Sequence, residues 1–212
     1  DLVQLAQHAR WLLRNGCDGL VLFGSTGESA SLSGGERMQA LDYLLAQGVP
    51  ADQLLVGSGC CSVPDTVELS RHAIERGCAG VLVHPPFFFK NISDEGVLSF
   101  YSKLIEQIAD ERLRLYLYHF PQTTGVNVSV EVAAELLRRH PGAVTGYKDS
   151  SGKYEHTCAV LEQLPALAVY VATEARLADF LSRGGSGCVS ATANVQPGAI
   201  RRLLQARGSP AE

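Results

Sequence analysis

Apolar residues along this chain fall into two patterns that take turns. Leu2, Leu5, Ala9, Leu12 and Leu13 recur at helical spacing until Gly16 stops them. Gly19-Leu20-Val21-Leu22-Phe23 is then a short continuous apolar run, the mark of a strand buried on both faces. The exchange continues to the end of the chain. Ser33 and Glu36 have the spacing of a capping box and open a helix predicted to reach about Gln47. Further helices are predicted over about 64–76, 94–110, 129–139, 154–163, 174–182 and 197–205. Strands are predicted at 54–58, 80–84, 113–119, 144–148, 167–172 and 187–191.

Seven short apolar strands thus alternate strictly with eight amphipathic helices, a pattern that builds a parallel α/β sheet. Eight such units would close a TIM (β/α)8 barrel, typically of about 250 residues. We read the chain as that barrel lacking its first strand: one domain over residues 1–212, incomplete at both ends. An open doubly wound sheet is the alternative. It is disfavoured because Gly24-Ser25-Thr26-Gly27-Glu28, after the first strand, lacks the spacing of a dinucleotide-binding turn. A barrel short of one strand leaves two unpaired edges, which invite association.

Composition narrows the partners. Eighteen Lys and Arg stand against 22 Asp and Glu, with no basic block, which argues against nucleic acid. No apolar run approaches the roughly 20 residues that span a bilayer, and Asp1-Leu2-Val3-Gln4 has no signal-peptide character. We expect a cytoplasmic protein. Cys17, Cys60, Cys61, Cys78, Cys158 and Cys188 form no Cys-x-x-Cys pair, and several lie in or beside apolar runs, so reduced thiols are expected.

In a barrel of this type, chemistry gathers at the C-terminal ends of the strands. Lys148 ends the 144–148 strand and shares a face with Val144 and Gly146; the glycine is expected to leave space beneath it. A lysine held against an apolar interior loses hydration, which favours the nucleophilic amine and hence Schiff-base chemistry with a carbonyl. In the 113–119 strand the leucines 113, 115 and 117 share one face, so Tyr116 and Tyr118 point inward and His119 outward. Tyr118 and Lys148 then converge, and a phenol beside a lysine can shuttle protons. Ser25 and Thr26, in a glycine turn after the first strand, offer a cradle for a small carboxylate. His84 and His119, with Glu28 or Glu174, could instead hold a metal, but no close ligand pair supports them and His119 points away. The other histidines, 8, 72, 140 and 156, fall on helices or their ends and are expected at the surface.

Gly24-Ser25-Thr26-Gly27-Glu28-Ser29, Tyr118-x-x-Pro121 with Thr124-Gly125, Gly146-x-Lys148-Asp149-Ser150-Ser151-Gly152 and Ala193-Asn194-Val195-x-Pro197 resemble the motifs of the dihydrodipicolinate synthase/N-acetylneuraminate lyase family. The resemblance runs through nearly the whole chain in the right order. It implies a class I aldolase or lyase that forms a Schiff base between Lys148 and pyruvate or another 2-oxo acid, and makes or breaks a carbon–carbon bond to an aldehyde. By the same resemblance Tyr118 is proton donor and acceptor, Ser25 and Thr26 hold the carboxylate and relay protons, and Val189 lines the pyruvate site with its backbone. No cofactor is implied, and the family suggests a homo-oligomer, dimer or tetramer. Two departures stand out. Thr123 occupies the position of an arginine in the lysine-pathway synthases, and Phe88 that of a tyrosine reaching a neighbouring subunit. Both point to another aldolase of the family, with Thr123 helping to shape the second-substrate pocket. A family member also has a first barrel strand and a C-terminal helical extension that this sequence lacks. A non-catalytic 2-oxo-acid-binding protein is the other reading.

Overall fold

The computed structural model describes residues 1–205. The chain runs α1 (Leu2–Arg14), β1 (Leu20–Leu22), α2 (Gly34–Ala46), β2 (Leu54–Gly57), α3 (Val63–Glu75), β3 (Gly80–Val83), α4 (Asp94–Ile108) and β4 (Leu115–His119). It continues α5 (Pro121–Thr124), α6 (Val130–Arg139), β5 (Val144–Asp149), α7 (Tyr154–Gln163), β6 (Ala168–Val171), α8 (Leu177–Ser182), β7 (Gly187–Cys188) and α9 (Pro197–Gln205). Local chemistry starts the helices. Asp1 accepts from the Val3 and Gln4 amides, Ser33 and Glu36 form the expected capping box, and Ser62, Ser93 and Ser129 each cap the next helix through a backbone N–H.

The seven strands pair in sequence order, β1-β2-β3-β4-β5-β6-β7, every neighbouring pair parallel. This is the TIM-barrel-like α/β arrangement that the alternation implies. Helix-facing apolar residues such as Leu115, Leu117, Tyr101, Leu104 and Val169 are fully buried between sheet and helices, where each large side chain contributes about 1.5–3 kcal/mol. In the parallel ladder of β4 and β5, Tyr118 lies opposite Lys148 and His119 opposite Asp149.

β1 and β7 are the edges of the sheet. The outer layer bridges the gap between them. Arg201 of α9 pairs with Asp18 ahead of β1 at 2.7 Å, and His8 of α1 meets Asn194 at 3.1 Å. The structure also adjusts some expectations. β7 is two residues long instead of five, although the Val189 N–H still bonds to Val171 O at 2.8 Å. A short helix, α5, follows β4: Pro121 supplies its first turn and Gly125, at φ 67°, ends it. The six cysteines are free thiols, and none is fully buried. No described helix is long and apolar enough to cross a membrane.

Candidate active site

The C-terminal ends of β1, β3, β4 and β5 bring the predicted groups together. Tyr118 and Lys148 are both buried, at 4% and 7% exposure. The Lys148 Nζ lies 4.2 Å from the centroid of the Tyr118 ring, a cation–π distance. Lys148 makes no ion pair among the described residues. The Tyr118 hydroxyl is 3.2 Å from Ser25 Oγ. That contact joins the two ends of the candidate site: the lysine and phenol on adjacent central strands, and the serine in the turn after β1.

The serine turn is held by unusual backbone. Phe23, which leaves β1, has φ 55°, and Glu28 has φ 52°. Left-handed geometry in a bulky residue is strained, and such strain collects where a fold positions chemistry. The Glu28 N–H bonds to Ser25 O at 3.1 Å and closes the turn. Ser25, Tyr118, Ser29, His84, Phe23 and Gly59 are among the residues around a small cavity of about 10 Å³. A larger concavity, about 640 Å³, lies elsewhere, on the outer surface of α2, α3 and α4. We assign the site to the small cavity, because it contains the convergent hydroxyls and the large one is an open groove between helices.

Gly146 serves a different purpose from the one expected. A Cβ there would lie 2.1 Å from the Tyr116 ring, so the ring of Tyr116 occupies the space beneath Lys148. Of the remaining predicted residues, Thr26 is exposed in the β1 turn and Thr123 is exposed on α5. Neither lines the small cavity. Val189 follows β7, its N–H held by Val171. Ser29 lines the cavity and was missed; it ends the Gly24–Ser29 motif, so the signal was present. His84 was weighed only as a metal ligand. It borders the cavity, whereas His119 lies on the opposite face of the sheet, and no described group of three or more His, Cys, Asp and Glu could hold a metal.

His119 points away from the cavity as alternation requires, yet it is buried, not solvated. Its Nδ1 accepts the Val128 N–H at 3.1 Å, and its ring lies tilted against His156 with centroids 4.4 Å apart. His156, expected at the surface, is half-buried and bonds to the Tyr147 hydroxyl at 2.9 Å. Asp149 beside them accepts from Ser151 N and from Thr157 Oγ1, both at 2.7 Å. Burial pulls the His119 imidazole from its usual 6.5 to about 4; Asp149 opposes the change, and His156 and Lys153 add to it.

The model of the dihydrodipicolinate synthetase family matches residues 1–209. The chain belongs to that family. An uncharacterized DapA-like lyase of Chloroflexus aurantiacus is 32% identical over 206 residues, 97% of this chain and 68% of the relative. The crystal structure of dihydrodipicolinate synthase from Agrobacterium tumefaciens superposes with a TM-score of 0.92 at 35% identity, over 96% of this chain and 71% of that one. A variant of the Sulfolobus solfataricus 2-keto-3-deoxygluconate aldolase, in complex with L-2-keto,3-deoxy-galactonate, gives 0.88 at 25% identity, covering 98% and 67%. The chain spans about two thirds of the length of the curated relatives it matches, from 62% to 69%. These relatives carry the carbon–carbon lyase class expected from the sequence motifs.

Proposed function

We propose that this chain carries the site of a class I aldolase, in which Lys148 forms a Schiff base with pyruvate or a related 2-oxo acid. The observation that carries the reading is the joint placement of Lys148 over the Tyr118 ring at 4.2 Å and of the Tyr118 hydroxyl against Ser25 at 3.2 Å. A buried nucleophilic amine and phenol, with a second hydroxyl at the exposed edge of the cluster, suit carbonyl addition followed by dehydration. The Sulfolobus aldolase, with its bound 2-keto acid, supports the substrate class.

The mechanism follows from these groups. The Lys148 amine attacks C2 of the oxo acid. Tyr118 moves the protons that convert the carbinolamine to a protonated imine and water. Tyr118, left as phenolate by that dehydration, takes the C4 hydroxyl proton as the C3–C4 bond breaks, and the imine accepts the released electron pair, leaving an enamine of pyruvate and a free aldehyde; addition is the reverse. Ser25 and Thr26 hold the substrate carboxylate, Val189 lines its edge, and Thr123 shapes the far side of the pocket. This chemistry calls on no cofactor. Thr123, in place of the arginine, and Phe88, without a hydroxyl, favour an aldolase other than the lysine-pathway synthase. Exposed Phe88 and Phe89, with ring centroids 5.1 Å apart, suit a contact between copies in a homo-oligomer.

Borohydride reduction in the presence of pyruvate tests the reading. A stable adduct is expected on Lys148, located by peptide mass spectrometry. A folded sample that yields none would favour a protein that only binds 2-oxo acids. Pyruvate release from a panel of 2-oxo-3-deoxy sugar acids, 4-hydroxy-2-oxoglutarate and sialic acid then identifies the aldehyde.

A further inference from the structure

His84, at the end of β3, has no role in the mechanism above, yet it borders the same cavity as Ser25 and Tyr118. Its ring is fixed. The carbonyl of Pro85 can only accept, so the 3.0 Å contact with His84 Nδ1 places a proton on Nδ1. In the neutral ring Nε2 is then a free acceptor. The Cε1–Nε2 edge is turned toward Gly59, another residue of the cavity: a Cβ on Gly59 would lie 3.0 Å from both atoms. The glycine leaves room for the basic edge of the imidazole to face the cavity. The cavity, about 10 Å³, is of the order of a single water, which needs roughly 10–15 Å³ and two to four polar partners. Ser25, Ser29, Tyr118 and His84 supply those partners. Phe87 packs edge-on against His84 at 5.0 Å, and the Tyr118 ring lies 6.4 Å away. Phe88 is 73% exposed, lies outside the cavity and has no hydroxyl to offer.

We propose that His84 is a proton-carrying residue of this site, its Nε2 taking up and returning, through one water, the proton that Tyr118 passes along. The inference rests on the Schiff-base reading and names a participant in it. The balance is simple. A proton leaves the Tyr118 hydroxyl as the phenol accepts one from the substrate, crosses the water, and converts neutral His84 to imidazolium. It returns by the same route when C3 of the enamine is protonated; no other bond at His84 forms or breaks. His84 acts through Tyr118 and is a positioning and relay group, with Lys148 and Tyr118 touching the substrate. The ionisable groups bearing on it are Arg37 of α2 and Tyr118 of β4. Burial first, and Arg37 second, keep its pKa below 6.5 against the Pro85 carbonyl, so the imidazolium gives its proton back readily.

The test needs no aldehyde. Exchange of the pyruvate methyl hydrogens with D2O, followed by NMR on the full chain, reads proton movement at C3; borohydride trapping reads the Schiff base alone. His84→Gln is expected to slow exchange about 10- to 100-fold, less than the ~10²–10⁴ of direct proton transfer, while the trapped yield at long times is unchanged. Wild-type exchange should fall as pH drops through the His84 pKa, below 6.5, and the variant should lack that acid limb. Wild-type rates and an unaltered pH profile in His84→Gln would overturn the proposal. So would loss of trapping and exchange together in a folded variant, which marks a structural role. Should the variant not fold, imidazole ¹⁵N spectra of the wild type decide: an unprotonated Nε2 that responds to pyruvate is expected, and a protonated or unresponsive one refutes it. A wild type that neither traps nor exchanges pyruvate overturns the Schiff-base reading first, and this inference with it.

Discussion

The two faces of β4 and β5 carry the same pair of strand ends and are built to opposite rules. On the inner face, Tyr118 has one hydroxyl partner, Ser25, and Lys148 has a ring and no carboxylate. On the outer face, both Asp149 oxygens accept hydrogen bonds, His119 accepts one from Val128, and Tyr147 bonds to His156 and to Val128 O. The outer groups are buried or half-buried and bonded to one another and to the backbone, so they hold the strand ends at a fixed register. The inner groups keep bonding capacity for a substrate. A fully bonded lysine would be stable and inert; here the bonding needed for precision is moved to the opposite side of the backbone.

The contrast can be broken from the inside. Lys148→Ala should abolish the trapped pyruvate adduct while circular dichroism remains native, because no ion pair is lost. Tyr118→Phe should still give the adduct but slow its formation by about 10²–10⁴, the usual worth of general acid–base catalysis. The trapping time course measures it.

From the outside the effect should fall on stability. Asp149→Ala removes a carboxylate accepting two hydrogen bonds of 2.7 Å and leaves the Thr157 hydroxyl and Ser151 N–H without their partner. The expected loss is about 2–4 kcal/mol, or roughly 5–15 °C in Tm for a domain of this size. Trapping should persist below the new Tm; its loss in folded protein would mean that the two faces are not separable in this way.

The smallest effect is titration of the outer face. His119 has a folded-state pKa of about 4, below the 6.5 of an unfolded histidine. Between those values the unfolded chain binds the extra proton, so stability rises with pH. It is fully present above pH 6.5 and is lost as pH falls toward 4, by on the order of 2–3 kcal/mol at about 1.4 kcal/mol per pH unit. Denaturant midpoints at pH 7 and pH 4.5 should differ in wild type and differ less in His119→Asn.

Much of the inner face was legible in the sequence because strand alternation is a strict local rule. It put Tyr118 and Lys148 inside and His119 outside from spacing alone, and helix caps such as Ser33 with Glu36 were equally local. The burial of His119 was not legible. It depends on the rotation of α7, which brings His156 against β4, and on the 126–128 segment folding back to meet the ring. The same limit applies to Gly146: alternation puts it under Lys148, but only the register shift between Leu115 and Tyr116 sets Tyr116 opposite Gly146 and fills the space with its ring. β7 was predicted too long because Val189-Ser190-Ala191 is strand-like in composition, and composition does not reveal that the edge stops pairing.

The Ser25–Tyr118 contact joins a less constrained part of the sheet to a more constrained one. Ser25 follows β1, three residues long and left through Phe23 at φ 55°; Tyr118 sits on β4, five residues long and paired on both sides. Backbone hydrogens of β1 should therefore exchange with solvent sooner than those of β4 and β5. The charged Arg201–Asp18 clasp beside β1 is exposed and weakens as salt rises. The serine turn would then breathe on a faster clock than the lysine strand, and ionic strength would set how often the two are in register.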